Sequence, residues 1–309
     1  MTPLSPTTPG TAWFLNGLAS LRQEESKTQR ELSSGYRIND ASDSPAQTPA
    51  LVELGSSLAS VQAYQTNLGN VQTETSTADQ ALGSAISLVQ SAESMASQGA
   101  NTTTTAATRQ ALANQIQSIQ KQLVSISNTT VQGRYIFGGN QDQSPPFQYD
   151  GSSPTGVDAL TTPAAAGVIV NTQGETVYQS LTARQIFAPV DSSGAPTASN
   201  TFAALQSLLT ALQNNDQTGI AASVTSLQTA STWLSQQQAY YGTAEQRLTN
   251  EQNTAANQVT ALQAQIGTIR NTDMAKAATD LTQESTIQSA ALGAQAEIAS
   301  GKTLFSYLG

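Results

Sequence analysis

From Leu51 onward, apolar residues return at steps of three and four: Leu51, Leu54, Leu58, Val61, Tyr64, Leu68 and Val71, then Ala78, Leu82, Ile86 and Val89. A narrow stripe with that spacing is a coiled-coil seam, the pattern of a helix lying against another helix. A helix from Gln47 to Ser97 would be roughly 75 Å long at 1.5 Å per residue. The spacing therefore predicts a rod rather than a globule.

After the breaker run QGANTTTTAAT a second seam follows, through Leu112, Ile116, Ile119, Leu123 and Ile126. So short a connection predicts an antiparallel return. A third seam runs late, through Ile220, Val224, Leu227, Leu234, Tyr241, Leu248, Ala255, Val259, Leu262, Ile266 and Ile269, with a shorter segment around Phe202, Leu205, Leu209 and Leu212 before it. Between them, residues 133–199 read differently. GRYIFGG, GVIVNTQGETVY and ARQIFAPV mix β-branched and aromatic residues with Gly and Pro, the composition of strands and hairpins. The fold class expected is mainly α: an elongated antiparallel coiled-coil or helical-bundle rod built from the N- and C-terminal halves, with a small β-rich inserted segment.

Weaker stripes occupy both ends. Phe14, Leu18, Leu21 and Leu32 mark the first; Met274, Leu281, Ile287, Leu292, Ile298, Phe305 and Leu308 mark the second. Two such helices bury little apolar surface as a pair, so another surface must cover them.

Composition excludes several functions. The chain has 309 residues, 11% charged, with no Cys and no His. Thiolate chemistry, the commonest general base and the commonest transition-metal ligands are absent, so no catalytic residue, cofactor or metal site is expected and the chain reads as a non-enzyme. Two acidic groups, Asp40 with Asp43 and Asn140 with Asp142 and Asp150, lack the calcium-loop spacing and read as turn chemistry. Trp13, Trp233 and the Tyr240-Tyr241 pair read as packing residues. A net charge of -9 argues against a nucleic-acid partner. No run reaches a membrane span, and the N-terminal residues lack the pattern of a cleaved signal peptide.

LSSGYRINDASDSPA, residues 32–46, breaks the helical pattern. Gly35 suits the left-handed position that ends a helix. The next helix can start at Ser44 with a Ser-x-x-Gln capping box, or at Thr48. Residues 35–44 thus form a joint. The stretch resembles the segment that links the terminal helix to the rod in bacterial flagellins and their relatives, with Arg37, Ile38 and Asp43 on the pattern. IRNTDMAKAATDLTQESTIQSAALGAQAEIASGKTLFSYLG is similar to the C-terminal signature of that family, with Asp273, Met274 and Ala275 entering the last helix. GRYIFGGNQDQSPPFQYDG resembles the branch of the family that sits between hook and filament.

The resemblance implies three parts: 1–44 with 270–309 as a terminal-helix assembly domain, 45–132 with 200–269 as the rod, and 133–199 as the insert. It implies a structural component of the extracellular flagellum, exported without a cleaved signal, that joins hook to filament; a filament-forming flagellin is the alternative. Implied partners are other flagellar subunits (a hook-associated protein and flagellin), further copies in a helical lattice, and an export chaperone, with no nucleic acid and no membrane. The residues implied to make inter-subunit contacts are Phe14, Leu18, Leu21, Leu32, Arg37, Ile38, Asp43, Met274, Leu281, Ile287, Leu292, Ile298, Phe305 and Leu308.

Overall fold

A computed structural model describes residues 9–162, 167–171 and 174–299. Its helices are α1 (Pro9–Ser34), α2 (Thr48–Ala100), α3 (Ala106–Ser127), α4 (Ala183–Phe187), α5 (Thr201–Gln213), α6 (Gln217–Arg270) and α7 (Met274–Ala299). The strands are β1 (Thr130–Val131), β2 (Arg134–Tyr135), β3 (Phe147–Tyr149), β4 (Val157–Ala159), β5 (Val168–Val170) and β6 (Thr176–Gln179). The chain divides into two compact units, residues 63–256 and residues 1–62 with 257–309.

In the unit 63–256, α2 and α6 carry the same seven-residue rhythm. Leu68, Thr75, Leu82, Val89 and Ala96 are buried on α2, as are Ile220, Leu227, Leu234, Tyr241, Leu248 and Ala255 on α6. A seven-residue repeat keeps one seam facing its partner along the helix. The two helices run antiparallel here: Gln228 donates to Glu93 at 2.8 Å, and further along Asp79 lies close enough to act on Glu245. Alanines 78, 85 and 92 on α2 are buried as well. Buried Thr75 turns its hydroxyl onto the carbonyls of Val71 and Gln72, which satisfies a polar group within its own helix.

One end of this unit is closed by a buried arginine. Arg109 donates to the carbonyl oxygens of Gly99 and Asn101 and to the side chain of Asn215. Its positive charge thus meets the carbonyl end of α2, where a cation is stabilising. Gly99 sits close beside it: a Cβ there would lie 2.8 Å from the Leu212 methyl and would force that side chain to shift. The helices that follow are capped by side-chain oxygens: Thr105 for α3, Asn200 for α5 and Asp216 for α6.

The β segment is three separate two-stranded antiparallel pairs, β1-β2, β3-β4 and β5-β6. Thr130 pairs with Tyr135 and Val131 with Arg134 across Gln132 and Gly133, both at positive φ, the turn that suits a two-residue hairpin. Two expectations are corrected. YIFGG contributes only Tyr135 to a strand, and ARQIF is the helix α4 rather than a strand. Thr182 and Gln185 form a capping box, and that local pair of hydrogen bonds outweighs the β-leaning composition.

These pairs are tied to the helices by aromatic contacts. Phe147 meets Phe202 at 5.1 Å between ring centroids, Phe202 meets Phe187 at 6.3 Å, Phe187 meets Phe137 at 5.6 Å, and Phe137 meets Tyr241 at 6.3 Å. The rings approach edge to face or tilted, as their quadrupoles favour. Phe137, Phe187, Phe202 and Tyr241 are almost wholly buried.

Two predictions follow from this packing. Phe137→Ala should destabilise the unit by about 3–5 kcal/mol, read as a lower denaturant midpoint from Trp233 fluorescence in a Trp13→Phe background. Burial, followed by the like charge of Asp79, raises the Glu245 carboxyl above its ordinary value. Protonation therefore favours the fold, and that stability is lost as pH rises through the raised pKa. Glu245→Gln should raise the melting temperature at neutral pH and leave it unchanged in acid, where Glu245 is already neutral.

Candidate assembly surface

The residues expected to make assembly contacts lie in the unit formed by 1–62 and 257–309. Gly35, at φ 74°, ends α1, and its N–H donates to the carbonyl of Glu31 at 2.8 Å. The chain then crosses the strand-like link between α6 and α7. Tyr36 bridges Asn271, the N–H of Arg37 donates to the carbonyl of Arg270 at 2.7 Å, and the N–H of Thr272 donates to the carbonyl of Gly35 at 3.1 Å.

Two arginines lock this crossing. The Arg37 guanidinium donates to the Ile269 carbonyl at 2.7 Å and to Gln47 Oε1 at 2.8 Å. Arg270 lies over the Tyr36 ring at 4.1 Å and donates through Nε to the Ile38 carbonyl. Ile38 is buried beneath them. Asp43 accepts from the N–H groups of Asn39 and Asp40; these bonds, chiefly that from Asp40, hold its carboxyl below the usual carboxylate range. The helix beyond starts at Thr48, with Pro49 in the first turn, where a missing N–H costs nothing.

Helix α1 packs along α7. Asp273 caps α7 through the N–H groups of Ala275 and Lys276, and Thr28 donates to Glu284 across the pair at 3.1 Å. Phe14, Leu18, Leu21, Leu32 and Leu281 are half-buried, and Ala277 is fully buried. The pair leaves much apolar surface in water. Trp13 is 79% exposed, and Leu15, Met274, Ile287 and Leu292 are exposed too. Phe14, Leu18, Leu21 and Ile287 meet along one groove of about 370 Å³.

The expected residues that are described fall in two places. Arg37, Ile38 and Asp43 gather at the joint, away from the apolar stripe on α1 and α7. The side chain of Ile298, and Phe305 and Leu308 altogether, lie outside the described residues. Trp13, expected to pack, is the most exposed large apolar residue named among those described. The sequence gives no sign of the contact between Tyr36 and Arg270, which joins residues far apart along the chain.

The acidic pairs considered earlier take part in turns and local bonds. Asp142 binds Arg134 and Gln143, and Asp150 accepts from the N–H of Ser152. Among the described residues no group of three or more His, Cys, Asp or Glu is placed to hold a metal ion. No described helix is long and apolar enough to cross a membrane.

The bacterial flagellin N-terminal helical region matches residues 13–142, and the bacterial flagellin C-terminal helical region matches residues 224–308. The chain belongs to the bacterial flagellin family. Within this family it is 26% identical over 203 residues to flagellar hook-associated protein 3 of Escherichia coli (strain K12), across 64% of this chain and 63% of that protein. The protein of the same name from Salmonella typhimurium is 25% identical over 203 residues, with the same coverage. The match therefore spans 63% of the length of these curated relatives.

Solved structures agree on the flagellin-family fold. One assigned to a flagellar hook-associated protein of Vibrio parahaemolyticus superposes with a TM-score of 0.63 at 18% identity, over 74% of this chain and 99% of that one. FlgL of Bacillus cereus superposes with a TM-score of 0.53 at 19% identity, over 71% of this chain and 100% of that one.

Arg270→Ala removes the ring contact and a charge-assisted hydrogen bond, together about 1–2 kcal/mol. Backbone amides at residues 37, 38 and 272 should exchange with solvent roughly tenfold faster, while protection in the 63–256 unit is unchanged; hydrogen exchange read by mass spectrometry checks both.

Proposed function

We propose that this chain is a structural subunit of the bacterial flagellum, set between hook and filament, and that its terminal segments 1–44 and 270–309 assemble with neighbouring subunits. The observation that carries this reading is the exposed apolar surface on α1 and α7: Trp13, Leu15, Met274, Ile287 and Leu292 stand in water in the single chain. Covering a large apolar side chain contributes about 1.5–3 kcal/mol. Four of these five are already about half covered, so together they contribute about half of the full sum, which reaches the lower end of the roughly 4–15 kcal/mol cost of fixing one subunit on another.

The relatives named flagellar hook-associated protein 3 support a junction between segments over a filament made of this chain alone. In this reading Phe14, Leu18, Leu21, Leu32, Leu281, Ile287 and Leu292, with Ile298, Phe305 and Leu308, supply the contact surface. Arg37, Ile38 and Asp43 hold the joint that aims it. Hook-associated protein and flagellin are the neighbours. A chaperone covers the terminal segments during export, and the chain performs no catalysis.

Electron microscopy of the purified full-length chain, beside a version lacking residues 1–44 and 270–309, tests this reading. The full chain is expected to stay unpolymerised under salting-out conditions and to decorate isolated hook ends; the truncated chain should not decorate them. Long filaments from the full chain alone would make it a filament flagellin instead.

A further inference from the structure

The 63–256 unit holds a cleft that the terminal helices do not involve. The β5-β6 hairpin lies over α6, where the Tyr240 hydroxyl donates to the Gln179 carbonyl at 2.6 Å. Beneath the hairpin is a cleft of about 270 Å³ with a mainly apolar wall of Val177, Ala239, Tyr240 and Ala244, and with Gln236, Thr243 and Arg247 also lining it. An apolar cavity of roughly 150 Å³ is enough to hold a benzene ring, so a branched aliphatic side chain fits. Arg247 is exposed and makes no ion pair among the described residues. The cleft therefore joins an apolar wall to a free guanidinium.

The complementary feature stands on another part of the same unit. Leu160, just past β4, is 49% exposed, although its backbone is fixed by an N–H bond to the Pro146 carbonyl at 3.0 Å. Asp158, two residues earlier, is exposed and makes no ion pair among the described residues. Leu160 and Asp158 present together what the cleft and Arg247 lack.

We propose that the cleft receives Leu160 of a second copy of this chain, with Arg247 facing the Asp158 carboxylate of that copy. The inference rests on the reading of the chain as a lattice subunit. Because the two surfaces are different patches, the contact is head-to-tail and repeats from copy to copy. Leu160 supplies the buried apolar area. An exposed ion pair adds little affinity but fixes which way the incoming copy faces.

The chain has no Cys, so single introduced thiols can be read without background. Full-length Ala159→Cys and Thr243→Cys proteins are treated with a short bismaleimide, separately and mixed, as concentrated free protein and on isolated hook ends. The mixture should give covalent dimers in at least one preparation, and neither protein alone should. A chain carrying both substitutions should give a ladder of higher species. Adding Arg247→Glu to the Thr243→Cys protein should lower dimer yield about tenfold, and Asp158→Arg on its partner should restore it.

No dimer from the mixture in either preparation overturns the contact. So does equal cross-linking within one protein alone, a doubly substituted chain that stops at dimer, or a yield indifferent to charge reversal. Cross-links from these positions only to another flagellar protein also overturn it. Failure to decorate hook ends counts against the junction reading alone, because the free-protein arm still decides the contact.

Discussion

The aromatic contacts that run from Phe147 through Phe202, Phe187 and Phe137 to Tyr241 hold the 63–256 unit together. Three two-stranded pairs cannot stand alone, since an isolated hairpin is marginal in water. Here each is short, and no larger sheet unites them. The rings replace the missing sheet by anchoring the loops to α5 and α6. Tyr241 belongs to both systems, as a seam residue of α6 and as the last ring of the series. Loss of one central ring therefore affects loops and helices together.

The second unit follows a different logic. Its joint is fixed by backbone bonds, two arginines and one buried isoleucine, whereas α1 and α7 share a thin seam in which Thr28 and Glu284 meet across the pair. The joint is specified locally and the helices are left apolar on their outer faces. That division suits a part that keeps its connection fixed while offering its outer face to other chains.

How much of this the sequence made readable depended on the range of each interaction. The coiled-coil spacing along α2 and α6 and the helix end at Gly35 are local patterns, and they fall where the residues indicate. The helix α4 was misread because β-leaning residues outnumber its two capping residues, Thr182 and Gln185. Contacts across the chain left no local trace. Arg37 reaches a carbonyl 232 positions away, and nothing near Tyr36 signals that Arg270 will cover it. The apolar stripes of α1 and α7 were visible as periodicity, but Trp13 was not separable from a packing residue, because exposure is a property of the pair α1 and α7 rather than of either sequence.

The long helices carry many hydroxyls that turn back onto their own backbone. Thr73, Thr77, Ser84, Ser87 and Ser91 on α2 each donate to the carbonyl four residues earlier, as do Thr229, Thr232, Thr243, Thr249, Thr254 and Thr268 on α6. Much of the polarity of these faces is therefore neutral, with ionised groups such as Glu53 on α2 and Arg247 on α6 set among the hydroxyls. Dissolved ions screen charges and act little on neutral dipoles, so the hydroxyl-bearing stretches of these helices meet their neighbours on nearly the same terms in dilute fluid and in brine.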